Sequence, residues 1–133
     1  MIDAHCHIQF EQFDKDREKI ISEIEDELDL AIVAGTDIED NKEARNISGT
    51  SNSLIYCEGA HPLFDHGDIE EVKNQIREDD PAAVGEIGLD YNYITDDGER
   101  KESEEIFRDM LELAEEEGLN VVIHSRNAER RAF

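Results

Sequence analysis

The sequence predicts an α/β fold in which parallel strands form a sheet or a (β/α) barrel. Two observations support this prediction. Short apolar runs alternate with longer segments of helical periodicity along all 133 residues, as in right-handed strand–helix–strand units. Histidines and carboxylates stand at or just after several of the apolar runs, and the carboxyl ends of parallel strands share one face. We therefore expect a single domain, residues 1–133, with about five strands and four helices.

The first strand and the first helix are predicted within residues 2–28. Residues 2–8 form the first apolar run, and its two histidines, His5 and His7, point to one face because strand side chains alternate. The segment "DKDREKIISEIEDE" has helical periodicity, and Asp14 has the residue type of an N-cap. The apolar positions of this region share one stripe, which comprises Phe13, Ile20, Ile24 and Leu28.

The rest of the chain continues the alternation. "LDLAIVAGT" is apolar at nearly every position, which is typical of a strand buried on both faces, and "DIEDNKEARNIS" predicts a weaker helix. "SLIYCEGAHP" predicts the third strand, and "DIEEVKNQIRED" predicts the next helix. "PAAVGEIGLDY" and "LNVVIHS" predict the fourth and fifth strands on either side of the strongest helix, "RKESEEIFRDMLELAEEEG", whose Gly118 suits the C′ position. "RNAERRAF" begins a further helix.

The chain is strongly acidic, with 36 Asp and Glu against 13 Lys and Arg and a formal net charge of -23. Because the apolar residues recur periodically, we expect a folded chain whose carboxylates lie on solvated helix faces. Such a surface repels a polyanion, so nucleic-acid binding requires a local cationic centre such as bound metal ions. A halophilic source, in which high salt screens surface carboxylates, is an alternative explanation of the acidity.

The two cysteines, Cys6 and Cys57, both fall in apolar, strand-like runs. No signal peptide precedes the first strand, and no apolar run approaches the roughly 20 residues that span a bilayer. We therefore expect a cytoplasmic protein with reduced, buried thiols.

Side chains that bind metals are predicted to meet at the carboxyl ends of the strands. His5 and His7 close the first strand, Glu86 ends the fourth and His124 ends the fifth. Each of them alone is equally well explained as a hydrogen-bonded core residue, but together on one rim they predict a metal site. Imidazole and carboxylate ligands suit Zn, Mn, Co, Ni or Mg, and a carboxylate between two groups of ligands suits a two-metal centre.

Two further residues are candidates for contacting a substrate. His61 lies in a Gly-Ala-His-Pro turn, where it either contacts a substrate phosphate or packs beside Pro62. Arg126 and Ser125, after the fifth strand at a helix start, either hold an anionic group together, with help from the helix N-terminus, or Arg126 forms a surface salt bridge.

The order of these motifs resembles the TatD-type metal-dependent deoxyribonuclease family of the amidohydrolase superfamily. The matching segments are "IDAHCH", "AGT", "GAHP", "AVGEIGLDY", the helix of residues 100–113 and "VVIHSRNA". The resemblance implies a (β/α)8 barrel of the TIM type, of which this chain supplies about the first five strands and four helices. It further implies hydrolysis of DNA phosphodiester bonds, as by a 3′-to-5′ exonuclease on single strands or 3′ ends, with two divalent cations (Mg, Mn or Zn) per complete site.

The resemblance also implies a role for each candidate residue. The metal ligands would be, in chain order, His5, His7, Glu86 and His124. Glu86 would bridge the two ions, and His61 and Arg126 resemble the family's substrate-side positions.

Several features depart from the family's pattern. Gln9, Ser103 and Met110 replace residues that are frequent in the family. The family's later histidine ligand and its late-strand aspartate, which serves as ligand and base, have no counterpart here, and a complete barrel has about 250 residues. We therefore expect this chain alone to be weakly active or inactive.

Two alternative functions remain open from the sequence. Another amidohydrolase, acting on an amide or ring substrate, fits the paired histidines but leaves "GEIGLDY" and "HSR" unexplained. A non-catalytic half-barrel would pair its open sheet edge with a partner half-barrel or with a second copy, because an unpaired edge and exposed apolar surface favour association.

Overall fold

The computed structural model describes all residues from Met1 to Phe133, and strands alternate with helices in the predicted order. The strands are β1 (Ile2–Cys6), β2 (Leu30–Ala34), β3 (Leu54–Cys57), β4 (Ala83–Asp90) and β5 (Asn120–Arg126). The helices are α1 (Arg17–Glu27), α2 (Ile38–Ser48), α3 (Ile69–Asp79), α4 (Asp97–Glu117) and α5 (Glu129–Ala132), and a short 3-10 helix, Glu11–Phe13, precedes α1.

All paired strands are parallel, and their order in space follows the chain. Strands β1, β2 and β3 form one sheet, and β4 pairs with β5 in another. A parallel bridge between Glu58 and Val84 joins the two sheets, and there the amide of Gly85 donates to the carbonyl of Glu58 at 2.8 Å. Consecutive strands of a (β/α) barrel have this order, so the predicted architecture is confirmed for β1 to β5.

The main core lies around β4. Every residue of β4 is buried, as expected for a parallel strand that helices cover. Helix α4 packs against it; Asp96 caps the first turn of α4 by accepting from two backbone amides, and Gly118 ends the helix in the predicted left-handed conformation. The strand that carries Glu86 is therefore enclosed by apolar side chains, among them Ile87, Leu89, Phe107, Met110 and Leu113.

The region between β1 and α1 differs from the prediction. Strand β1 ends at Cys6, and the 3-10 helix includes Phe13, which therefore lies outside α1. Asp14 follows this 3-10 helix instead of capping α1. The cause is Arg17, whose guanidinium donates to the carbonyl of Ile8 at 2.8 Å and pairs with Asp14 at 2.6 Å, so that the chain turns before the helix begins.

Glu86 and His124 lie inside their strands, whereas the sequence predicts them at the strand ends. The pairing of β4 with β5 continues beyond both residues, to Asp90 and Arg126. Gly88 permits this, because it has a φ of +149° and any Cβ atom there would lie 1.9 Å from the carbonyl oxygen of His124. The two strands therefore stay in contact up to Asp90, which becomes part of the site described below.

β1 and β5 are the edge strands. Each has one neighbouring strand, and both are more exposed than β4 between them. Ile2 of β1 is 61% exposed and Val121 of β5 is 37% exposed. Unpaired backbone groups and apolar side chains therefore coincide at the two edges.

Both cysteines are free thiols, as predicted. Burial raises the pKa of Cys6 to about 11 and that of Cys57 to about 12, which makes both poor nucleophiles near neutral pH. None of the helices combines the length and the apolar character that crossing a membrane requires. The cytoplasmic location stays a prediction.

Glu58 carries a buried carboxyl group that sequence reasoning did not single out. Its side chain is fully buried, and neither of its oxygens has a hydrogen-bond partner. Burial and the negative charge of Asp79 raise the pKa of Glu58 to about 8, although the Arg45 cation opposes the shift. The folded state therefore keeps this proton where an unfolded chain, with a pKa of 4.5, has lost it. The free energy of unfolding is therefore highest below pH 4.5. It falls as the pH rises towards 8, because in this range the unfolded chain releases the Glu58 proton and the folded protein does not.

Replacing Glu58 by Gln tests this pH dependence. We expect Glu58→Gln and the wild type to have similar free energies of unfolding at pH 5. At pH 9 the variant is expected to be more stable by about 4 kcal/mol, because an amide cannot ionise. Urea unfolding followed by circular dichroism measures both values. Glu43→Gln on α2, an exposed position, is the matched control, and an equal gain for the control would contradict the prediction.

Candidate metal centre

The first half of the site consists of two histidines at the end of β1. The Nε2 atoms of His5 and His7 lie 2.9 Å apart, and they lie 3.1 and 3.3 Å from Oε2 of Glu86. His7 Nδ1 is 2.8 Å from the carbonyl oxygen of Ala34, to which it donates its proton, and this leaves the lone pair of Nε2 directed at Glu86 and His5. Three donor atoms therefore converge on one point.

The second half faces the other oxygen of the same carboxylate. His124 Nδ1 lies 3.0 Å from Glu86 Oε1, and His61 Nε2 lies 3.8 Å from it. The rings of His61 and His124 are in edge contact, with centroids 4.4 Å apart. Glu86 thus separates two imidazole pairs, one on each of its oxygens.

Glycines bring the backbone of Glu86 into this position. The Glu86 amide donates to the carbonyl of Gly35 at 2.9 Å, and this bond connects β4 to the end of β2. Gly59, after β3, is packed so closely that a Cβ atom there would lie 2.6 Å from the carbonyl oxygen of Glu86. Only residues without a side chain allow the segment after β3 to approach β4 to this distance.

Glu86 is only 5% exposed, and its carboxyl group is ionised. Burial by itself raises the pKa of Glu86, but the favourable contacts of its Oε2 with the imidazoles of His5 and His7 lower it more, and the pKa ends well below its ordinary range. The same contact raises the pKa of His5 above 6.5 despite partial burial. An anionic bridge between imidazoles is the arrangement that a cation stabilises.

His61 differs from the other three imidazoles. Its Nδ1 accepts a hydrogen bond from the backbone amide of Leu63 at 3.1 Å, so the neutral ring carries its proton on Nε2. Burial lowers the pKa of His61 to about 4, although Glu86 opposes the shift, and the ring is therefore neutral near pH 7. His61 offers a proton to the site where His7 offers a lone pair, which favours a contact with substrate over metal ligation.

Asp90 is a site residue that the sequence analysis missed. It is fully buried, and its Oδ2 lies 2.9 Å from His124 Nε2. Its Oδ1 accepts from the backbone amides of Asn92 and Tyr93 at 3.1 Å each, so the carboxylate is fixed at both ends. Hydrogen bonds from His124 and from these amides hold the pKa of Asp90 below its ordinary value even though burial raises it. Because strand side chains alternate, Asp90 shares a face with Glu86 four positions earlier, and this spacing was the signal available in the sequence.

Arg126 lies on the Asp90 side of the site. Its Nε is 3.8 Å from Asp90 Oδ2, its side chain is about half exposed, and its guanidinium lies 5.5 Å from the centre of the Tyr93 ring. It does not reach Glu86. Ser125 does not join it, because Ser125 pairs with the core residue Leu89 and its hydroxyl is buried without a partner. The expected pairing of Ser125 with Arg126 on one anion is therefore wrong, since adjacent strand residues face opposite sides.

The donor set fits divalent cations. Ligands at 2.0–2.1 Å from a tetrahedral ion lie about 3.3 Å from one another, and the distances among His5, His7 and Glu86 are close to this value. Two groups of potential ligands share the Glu86 carboxylate, namely His5 with His7 and His61 with His124. Nitrogen and oxygen donors of this kind suit Zn or Mn, and carboxylate oxygen also suits Mg.

The fold and this polar rim define a class of protein, the parallel (β/α)-barrel proteins that carry a cluster of potential metal ligands at the carboxyl ends of their strands. The chain belongs to the TatD family, because the family described as "TatD related DNase" matches residues 2–133. The partial parallel (β/α) barrel is confirmed by the crystal structure of YjjV, a TatD homologue from Escherichia coli K12. That structure superposes with a TM-score of 0.86 and 27% identity over 99% of this chain and 53% of its own.

Two relatives show how far the likeness extends in sequence. An "Uncharacterized metal-dependent hydrolase" of Methanocaldococcus jannaschii is 34% identical over 99% of this chain and 53% of its own length. A protein of Danio rerio named "Putative deoxyribonuclease tatdn3" is 32% identical over 96% of this chain and 53% of its own. The chain spans about half the length of the curated relatives it matches.

The contact between Asp90 and His124 predicts the tautomer of His124. Asp90 accepts only from a protonated Nε2, so the neutral His124 ring that a cation requires has its lone pair on Nδ1, on the side of Glu86. In Asp90→Asn the side-chain oxygen can keep its two backbone bonds while the amide donates to Nε2, so we expect the proton to move to Nδ1. Ring nitrogen-15 shifts of His124 in metal-free protein measure this change. We expect the affinity for Mn²⁺ to fall about 10- to 100-fold, as for other residues that orient a ligand.

Asp96→Asn is the control for this variant. Asp96 caps α4 on the same loop by accepting from two backbone amides, and asparagine caps equally well. Unchanged nitrogen-15 shifts of His124 in Asp90→Asn, or an equal loss of Mn²⁺ affinity in Asp96→Asn, would contradict the assignment.

Proposed function

We propose that this chain carries most of a divalent-metal centre that hydrolyses phosphodiester bonds of DNA, in the manner of a 3′-to-5′ exonuclease. The observation that carries the proposal is the position of Glu86, whose two oxygens face two different imidazole groups. A bridging carboxylate of this kind is typical of two-metal hydrolases that act at phosphorus.

In this proposal four residues hold the cations. His5 and His7 would hold one ion together with Glu86, and His124 would hold a second together with the same carboxylate. Two divalent cations, Mg, Mn or Zn, supply Lewis acidity at the phosphodiester and activate water for attack. The ionised state of Glu86 prepares the site for them, because its low pKa leaves no proton to displace.

Two residues act on the substrate side. His61 donates its Nε2 proton as a neutral group, so it can bind a phosphate oxygen without repelling the cations. Arg126 supplies a positive charge on the Asp90 side for the neighbouring phosphate. The chain as a whole has a formal charge of -23, so His61, Arg126 and the cations provide the attraction for a polyanion.

The name of the Danio rerio relative supports a deoxyribonuclease over other hydrolases. The 133 residues still lack counterparts of the later histidine ligand and the late-strand aspartate that the family resemblance implies. Because groups that act as a unit lose most of their effect when one is missing, we expect turnover by this chain alone to be orders of magnitude slower than that of a complete centre.

Glu86→Gln tests the centre. We expect wild-type protein to bind Mn²⁺ in calorimetric titrations and to shorten a 5′-labelled single-stranded oligonucleotide slowly in its presence. The variant should lose tight Mn²⁺ binding and all cleavage, since an amide cannot supply an anionic oxygen to both histidine groups. Glu105→Gln on the exposed face of α4 should behave as the wild type.

Two results would contradict the proposal. Cleavage that persists unchanged in Glu86→Gln would exclude this carboxylate from the reaction. Turnover of amide or ring substrates, without any cleavage of DNA, would instead favour the other amidohydrolase function that the paired histidines allow.

We also propose that these 133 residues on their own associate through their edge strands, with a partner half-barrel or as a homodimer. The exposed edge strands β1 and β5 support this, because both leave backbone groups unpaired beside apolar side chains. Sedimentation equilibrium of the purified chain should give twice the monomer mass of 15.2 kDa, and Val121→Lys on the β5 edge should lower that mass. A monomer at all concentrations would exclude the homodimer.

A further inference from the structure

We propose that Phe64 and Tyr93 are two stacking platforms that hold unpaired nucleobases beside the metal centre. The proposal rests on the proposed function and names the part of the substrate that these residues recognise. The two rings lie on different loops, Phe64 after β3 and Tyr93 after β4, and both loops follow the carboxyl ends of strands. Both rings are exposed, Phe64 by 41% and Tyr93 by 63%.

Phe64 is the exposed end of an aromatic cluster that reaches the metal ligands. Its ring contacts the edge of His61 with a centroid distance of 5.1 Å, and it lies 6.2 Å from Phe10. Phe10 in turn stacks on His7 at 4.7 Å with an interplanar angle of 9°. Because its neighbours are packed, the Phe64 ring is held in place before a ligand arrives, and this reduces the entropy lost on binding.

Tyr93 is held on the opposite loop by the residue that orients His124. The Tyr93 amide donates to Asp90 Oδ1 at 3.1 Å, and the neighbouring Ile94 amide donates to the Asp90 carbonyl at 2.9 Å. The Arg126 guanidinium lies 5.5 Å from the Tyr93 ring centre. A base on this ring would therefore have a cation beside it for the attached phosphate.

Because the molecule is strongly acidic, stacking of bases is a more suitable source of affinity for DNA than contacts with phosphates. Proteins that bind DNA through many lysines and arginines release counterions and lose affinity steeply with salt. This chain has a formal charge of -23, and Arg126 is the cation beside the exposed Tyr93 ring. Stacking of a base on an aromatic ring needs no charge and contributes about tenfold per base in affinity. We therefore expect binding of single strands that changes little between 0.1 and 0.5 M salt.

Stacking also selects for unpaired ends. Bases within a duplex already stack on their neighbours, and only a base that leaves the stack exposes a face to a side chain. The platforms therefore favour single strands and frayed ends over duplex DNA, and they place the terminal bases while His61 and the metal centre act on the phosphates.

Fluorescence anisotropy with the 133-residue chain and Mn²⁺ tests the proposal. The probes are two labelled, phosphorothioate-linked decanucleotides that resist hydrolysis, one ending in two adenines and the other in two abasic residues. We expect the adenine probe to bind about 100-fold more tightly than the abasic probe, because each of its two terminal bases contributes about tenfold. Phe64→Leu and Tyr93→Leu should each weaken binding of the adenine probe about tenfold and leave the abasic probe and Mn²⁺ affinity unchanged. Phe64→Tyr should retain the wild-type affinity because tyrosine keeps the aromatic face.

Phe133→Leu is the matched control, since Phe133 is an aromatic residue that is 87% exposed at the end of α5. Equal affinity for the two probes in all proteins would overturn the role of Phe64 and Tyr93 as platforms and would leave the proposed metal centre unaffected. Tighter binding of duplex than of single strands, or a steep loss of affinity with salt, would overturn them as well. No binding of either probe by wild-type protein that binds Mn²⁺ would reject both this inference and the proposed substrate.

Discussion

The buried carboxylate of Glu86 is the feature on which the rest of the structure depends. An ionised group that is 5% exposed is costly unless every oxygen is compensated, and here imidazoles surround both oxygens. These imidazoles come from β1, from the loop after β3 and from β5, so their convergence requires that the strands lie side by side in chain order. The fold and the site therefore constrain each other. An arrangement that satisfies Glu86 also fixes the spacing of strands distant in sequence.

Strand β4 transmits this constraint to the core. All its residues are buried and α4 covers it with an apolar stripe. Gly85 and Gly88 allow β5 to approach it closely, and Gly59 allows the segment after β3 to approach it on the other side. The same strand carries Glu86 and Asp90, so one element supplies both the central anion and the group that orients His124. Apolar packing of β4 and the polar contacts of the two carboxylates together fix their placement, and this is the arrangement expected of a preorganised site.

The acidic surface and the site have opposite electrostatic requirements. Carboxylates on solvated helices keep a polyanion away, whereas the rim combines an anionic bridge for cations with Arg126, a neutral histidine donor and exposed aromatic rings. Affinity for nucleic acid in such a molecule has to come from short-range contacts at the rim, because the long-range field is repulsive. Discrimination against duplex DNA is then a consequence of the same chemistry, since duplex DNA offers phosphates but no free base faces.

The sequence by itself determined the alternation of strands and helices and the parallel sheet, because apolar periodicity fixes which side chains are buried. It also determined that four side chains meet on one rim, because the carboxyl ends of parallel strands lie on the same face. These side chains are His5, His7, Glu86 and His124. It failed where long-range contacts overrode local pattern. Arg17 turned the chain after β1 and displaced the start of α1, and pairing with β5 extended β4 beyond Glu86. Only the tertiary structure decided the tautomer of His61 and the hydrogen-bond partners of Asp90. Each of these depends on which backbone amide or strand neighbour lies within about 3 Å of a side chain, and no residue pattern encodes such a distance.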